Sequence, residues 1–130
     1  MKHALILATL FLIAGCAQMH DPILGRADPA WRDQILFANE NLRQHTAVQS
    51  ATFQRDPSSQ LLFVTVPIRN TSDVQLYIDF RYTFFDADGN VLYTSSMMPK
   101  TLRPNLPDQI QFNSTTPRAA NFELDIDYAK

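Results

Sequence analysis

Three groups of residues have the types and spacing to do chemistry. Glu123, Asp125 and Asp127 stand at alternate positions, which on a strand places three carboxylates on one face. Convergent carboxylate oxygens are what a calcium ion takes. Neighbours along such a face lie about 6.5 Å apart, too far for a straight strand to close three of them on one ion. A solvated face is therefore the expectation, and it would also discourage edge-to-edge aggregation. Asp86, Asp88 and Asn90 begin like a calcium loop, but the distal bidentate Glu is missing. A hairpin turn around Gly89 accounts for the same residues. The third group is a single thiol. Cys16 is the only cysteine, so no intramolecular disulfide can form, and in an oxidising compartment a lone thiol needs a cap.

Other chemistries fail on inventory. Beyond Cys16 the chain has two histidines, His20 and His45, far apart in sequence, and no Gly-x-Ser-x-Gly segment. Two distant histidines do not make a transition-metal cluster. Only Gly25 and Gly89 remain as glycines there, so no glycine-rich phosphate cradle exists. Asn70-Thr71-Ser72 and Asn113-Ser114-Thr115 read as turns or caps. The expectation is no catalytic residue, no metal and no cofactor.

The lead explains the thiol. A short positive opening, Met1-Lys2-His3, precedes an apolar run from Ala4 to Ala14 broken only by Thr9. That run falls short of the roughly 20 residues that span a bilayer and has the length of a signal-peptide core. It closes on Ile13-Ala14-Gly15-Cys16, which resembles the lipobox of bacterial lipoprotein precursors. The resemblance implies that Ile13, Ala14 and Gly15 are read by the signal peptidase, that residues 1–15 are removed, and that Cys16 is lipidated. Rival readings are an ordinary secretory signal cut near Ala17, or an uncleaved anchor or buried helix. Bacterial lipoproteins typically carry three acyl chains, and two already suffice for stable attachment. Ala17 rather than Asp after the cysteine favours, by the same resemblance, the periplasmic face of the outer membrane.

Loss of residues 1–15 removes one of 11 basic residues and none of 13 acidic ones, moving the net charge from −2 to −3. Such a balance supports neither nucleic-acid binding nor a polybasic hold on anionic lipid. Residues 17–33 mix polar residues with Pro22, Gly25 and Pro29 and show no period; they read as a tether. Its reach is on the order of 60 Å extended, or about 20–25 Å as a coil. Asp28-Pro29 could open a helical turn near Trp31. Residues 34–130 suffice for one domain with one core.

Within that domain the apolar period becomes two. Leu62, Val64, Val66 and Ile68 alternate with Phe63, Thr65, Pro67 and Arg69. Leu76, Ile78, Phe80, Tyr82 and Phe84 alternate in the same way, as do Phe122, Leu124, Ile126 and Tyr128. These are strands with one buried face. Further strands are expected near 46–54, 90–96 and 108–114, with a weaker one at 34–38. Turn residues separate them at 56–59, 70–73 and 86–90. About seven short strands of this spacing predict an immunoglobulin-like antiparallel β-sandwich. Pro67 cannot donate a ladder bond, so its strand should lie at an edge or be bulged there.

Asn70-Thr71-Ser72, the aromatic-rich run Leu76 to Phe85, and Asp86-Ala87-Asp88-Gly89 together resemble the YcfL-like family of small bacterial lipoproteins, as do Asn39-Glu40-Asn41-Leu42-Arg43 and Thr116-Pro117-Arg118-Ala119-Ala120. The resemblance covers roughly residues 34–128. It implies an immunoglobulin-like sandwich and lends no catalytic residue. The chain departs from the pattern after the hairpin, where Met97-Met98 stand in place of a tryptophan.

Residues 97–107 hold three prolines, two adaptable methionines and two cations. Met97, Met98, Lys100, Leu102 and Arg103 are the candidate partner contact; the bland alternative is an inter-sheet crossover whose methionines fill the core. The expectation is a lipid-anchored, non-enzymatic module that binds an envelope protein, with oligomeric state left open. The alternative is a binder of cell-wall glycan or a small periplasmic ligand through Tyr77, Arg81 and Phe85.

Overall fold

The computed structural model describes residues 34–130. The expectations for the signal peptide, Ile13, Ala14, Gly15, the lipidated Cys16, the tether and the turn near Trp31 lie outside the described residues. In chain order the elements are β1 (Ile35–Phe37), α1 (Glu40–Gln44), β2 (Thr46–Val48), β3 (Thr52–Arg55), β4 (Leu62–Asn70), β5 (Leu76–Phe85), β6 (Val91–Thr94), β7 (Met98–Leu102), β8 (Pro107–Asn113) and β9 (Asn121–Tyr128).

Nine strands fall into seven rows. In the first sheet the order is β1-β9-β5, and β6 and β7 then lie end to end along the far side of β5. In the second sheet β2 and β3 lie end to end along one side of β4, and β8 lies along the other. The two sheets form the expected β-sandwich.

The alternation of apolar residues sets its inner faces. Leu62, Val64, Val66 and Ile68 are buried on β4, Ile78 and Phe84 on β5, and Phe122, Leu124 and Ile126 on β9. Aromatic rings join the two layers. Tyr82 of the first sheet stacks on Phe112 of the second, with centroids 4.6 Å apart and planes 13° from parallel. Phe122 meets Phe112 edge-on at 5.5 Å and Phe53 at 5.4 Å. Offset and edge contacts of this kind add to the area that the rings bury.

Four details depart from the sequence expectation. First, β1 runs parallel to β9, pairing Ile35 with Leu124 and Phe37 with Ile126. The whole sandwich separates these strands in sequence, so no tight hairpin forces them antiparallel. Second, residues 40–44 form a helix. Asn39 caps it, its Oδ1 accepting from the amides of Asn41 and Leu42 at 2.9 and 3.3 Å, and Leu42 is fully buried.

Third, the strand that holds Pro67 is the middle row of its sheet, not an edge. The Pro67 carbonyl accepts from Gln49 N at 3.1 Å, so its nitrogen faces the same side. There the neighbouring row breaks between β2 and β3, so the missing N–H falls just beyond the end of the β2 ladder. Fourth, β9 is an interior strand, so Glu123, Asp125 and Asp127 guard no edge. They line the solvent side of the sheet, where Arg81 donates to Asp125 from Nε and Nη2 at 3.1 and 2.9 Å.

Candidate functional site

The segment expected to make contact splits into three environments. Met98–Leu102 is β7, paired to the first half of β5 with Leu102 opposite Leu76 and Met98 opposite Phe80. Side chains alternate along it. Met98, Lys100 and Leu102 point into the sandwich; Pro99 and Thr101 point out and are exposed. Leu102 is fully buried and is thereby removed from the candidate contact surface. Met98 is partly buried and packs against the core. Met97 is exposed at 44 %, and Arg103 is also exposed.

Met97 owes its position to Ser95. The Ser95 amide donates to Tyr82 O at 2.9 Å, while Tyr82 N donates to Ser95 Oγ at 3.1 Å. A side chain thus takes the place of a ladder carbonyl, and the row is interrupted between β6 and β7. Met97 lies in that interruption.

Lys100 occupies a core-facing register position, which is costly for a cation. Its Nζ lies 3.0 Å from Asp108 Oδ1, on β8 of the opposite sheet. Asp108 shares the parity of Ile110 and Phe112, both buried. The pair therefore spans the gap between the sheets at their β7–β8 side. The two side chains retain 23 % and 35 % of their exposure. Burial alone would raise the Asp108 pKa; the Lys100 hydrogen bond, the Gln109 N–H and the charges of Lys100 and Arg103 together hold it below the usual carboxylate value.

Asn70 holds the crossover after β7. It is fully buried. Its Nδ2 donates to Val74 O at 2.7 Å and Leu102 O at 3.0 Å, and its Oδ1 accepts from Ser72 N at 2.9 Å and Ser72 Oγ at 2.7 Å. Every capacity of the amide is used. Its backbone carbonyl accepts from Asn105 N at 3.0 Å, and Asn105 takes a positive φ of 56° to turn the chain toward β8. Asn105 also donates to Asp73 at 3.3 Å. The two loops so joined present Val74 at 63 % and Leu106 at 46 % exposure. The candidate surface is thus the β7 edge from Met97 through Arg103 to Leu106, with Val74 beside it. Pro99 blocks ladder pairing along that edge.

Sequence spacing does not single out Asp108, Val74 or Leu106. Asp108 carried a usable signal, since a carboxylate in phase with Ile110 and Phe112 requires a partner. Val74 and Leu106 sit in turns, where no period marks them.

The alternative face is less open. Tyr77 is exposed and Phe85 half-buried, but Arg81 is engaged by Asp125. At the β5–β6 hairpin, Asp86 Oδ1 accepts from Asp88 N at 3.0 Å and Asn90 N at 2.9 Å. Gly89 supplies a φ of +84°. The Asn90 backbone and side-chain donors, the Asp88 N–H and the Arg118 charge lower the Asp86 pKa. Its oxygens serve the turn. Among the described residues no group of three His, Cys, Asp or Glu is placed to hold a metal ion, and no helix is long and apolar enough to cross a membrane.

Residues 33–128 match the profile of a family described as protein of unknown function, DUF1425. Among solved structures, the Campylobacter jejuni protein cj0090 superposes with a TM-score of 0.64 at 17 % identity, covering 75 % of this chain and all of that one. A DUF1425 family member from a Shewanella species superposes with a TM-score of 0.58 at 20 % identity, covering 65 % of this chain and 79 % of that one. Both likenesses bear on the fold. No curated protein matches the chain.

Proposed function

The chain belongs to the DUF1425 family, and from that premise we propose that it is a YcfL-like lipoprotein, held by acylated Cys16 on the periplasmic face of the outer membrane, whose sandwich is a non-enzymatic protein-interaction module. The carrying observation is the β7 edge, where Met97 stands exposed just before a strand that is fixed from within and Leu106 in the turn that follows it. Lys100–Asp108 ties that strand to the opposite sheet, and Asn70 fixes the turn beyond it. Exposed apolar side chains on a rigid, proline-blocked edge suit a partner that packs against it and disfavour open-ended strand pairing.

Site-specific photocrosslinking in intact cells tests the reading. A photoreactive residue at Met97 or at Leu106 yields the same discrete envelope-protein adduct, and one at the exposed Gln111 on β8 does not. Adducts of equal yield at all three positions, or none at Met97 and Leu106, overturn it. Recovery of cell-wall fragments alone transfers the assignment to glycan binding.

A further inference from the structure

The outer face of the second sheet holds a half-open depression of about 230 Å³, lined by Ala47, Gln49, Pro67, Ile68, Arg69, Pro107 and Asp108. The register builds it. Ala47 of β2 and Pro107 of β8 both stand opposite Arg69 of β4, so three adjacent rows contribute to one hollow. Arg69 is the anomaly within it. Its side chain is only partly exposed. Its Nε is shut off from water and has no hydrogen-bond partner among the described residues. No ion pair among those residues engages it either.

A charged nitrogen shut off from water ordinarily has an acceptor, because an unmet charged donor costs more than an unmet neutral one; of the guanidinium, Nε alone is closed off in this way. The one acid among the described residues of the lining, Asp108, is already matched by Lys100 at 3.0 Å. Among the described residues the hollow therefore carries one uncompensated positive charge beside the apolar side chains of Ala47, Pro67 and Pro107.

We propose that this depression is a subsite for one carboxylate carried on a small apolar group, with Arg69 as its receptor. The chemical class is the α-carboxylate of a peptide ending in a small residue. The two Nη groups of the planar guanidinium match two carboxylate oxygens. A monoanion balances the single free charge, whereas a phosphate dianion would leave an excess negative charge there. The prolines and Ala47 suit a methyl-sized side chain. The subsite opens on the outer face of the second sheet; its Pro107 adjoins Leu106 of the docking surface, but its anion recognition does not depend on the docking reading.

The test is NMR of the arginine Nε–Hε groups in the full chain, purified in detergent and labelled with nitrogen-15. Titration with N-acetyl-alanine shifts the Arg69 resonance saturably; N-acetyl-alanine amide and inorganic phosphate leave it in place. Arg69→Lys weakens binding about tenfold. Arg69→Gln abolishes it while the backbone amide spectrum stays folded. The subsite is refuted if the Arg69 resonance does not respond to the acid, responds equally to the amide or phosphate, or moves only in parallel with those of Arg43 and Arg103.

Discussion

Lys100 and Asp108 occupy inward register positions on opposite sheets, and their side chains meet at 3.0 Å. An ion pair thus closes one side of the sandwich at positions that the strand pattern reserves for apolar residues. Both ends keep part of their exposure, so water screens the pair, and its worth lies between the surface and the buried limits, about 1 kcal/mol.

That pair makes stability depend on pH. The folded Asp108 pKa is lowered, so its contribution is complete above the unfolded carboxylate pKa, about 3.9, and disappears as pH falls through the folded value. Asp108→Asn should lower the urea midpoint at pH 7 by an amount equivalent to roughly 1 kcal/mol. The gap between wild type and variant should close as the pH is taken down through the lowered Asp108 pKa. Asp56 and Asp86 are lowered too, by the Ser59 hydroxyl and by the Asn90 N–H first, so the acid loss of wild type alone does not isolate Asp108. The difference between the two proteins does.

Asn70 should be intolerant even of an isostere. Asn70→Ala takes a buried donor from the Leu102 carbonyl, leaves the Val74 carbonyl to the Ser72 hydroxyl alone and empties buried space, a cost of about 2–3 kcal/mol. Asn70→Asp keeps the volume but turns a carboxylate on those same carbonyls and should cost at least as much near neutral pH. Equilibrium urea unfolding of the two variants checks the order. Asn70→Asp as stable as wild type would contradict the bonding described.

Phe112 links Tyr82, Phe84 and Phe122. Phe112→Ala should cost about 3–5 kcal/mol, whereas Tyr82→Phe, which keeps the stacked ring, should cost under 1 kcal/mol. Thermal melts of both proteins separate the two outcomes.

Membrane attachment should reside in one atom. Labelled palmitate fed to cells should appear on the wild-type chain and be lost from Cys16→Ser, which should then leave the membrane fraction. Equal labelling of both proteins would remove the lipid anchor from the proposal.

Local patterning reveals the long strands because β4, β5 and β9 each bury one face and follow a strict period of two. The hairpin at Asp86–Asn90 is equally visible, since Gly89 alone there takes a left-handed conformation without strain. β7 is hidden by Lys100. A cation at an inward position breaks the apolar row, and only Asp108, on a strand of the other sheet, makes it tolerable. That compensation is tertiary and leaves no local trace. Pro67 misleads for a related reason. Its missing N–H suggests an edge, but Pro67 lies in the middle row and faces the gap between β2 and β3. Helix α1 is too short for a period to show. The hollow at Arg69 arises from three rows in register, which no single segment encodes.

The parallel pairing of β1 with β9 has a mechanical consequence. Any pull transmitted through the segment before Gln34 enters the domain at β1 and runs along the strand. The bonds from Leu124 N to Gln34 O and from Ala38 N to Ile126 O, 2.7 and 3.0 Å long, then share the load sideways in shear instead of unzipping one after another. A three-residue strand at the point of entry thereby shields the layers behind it from traction.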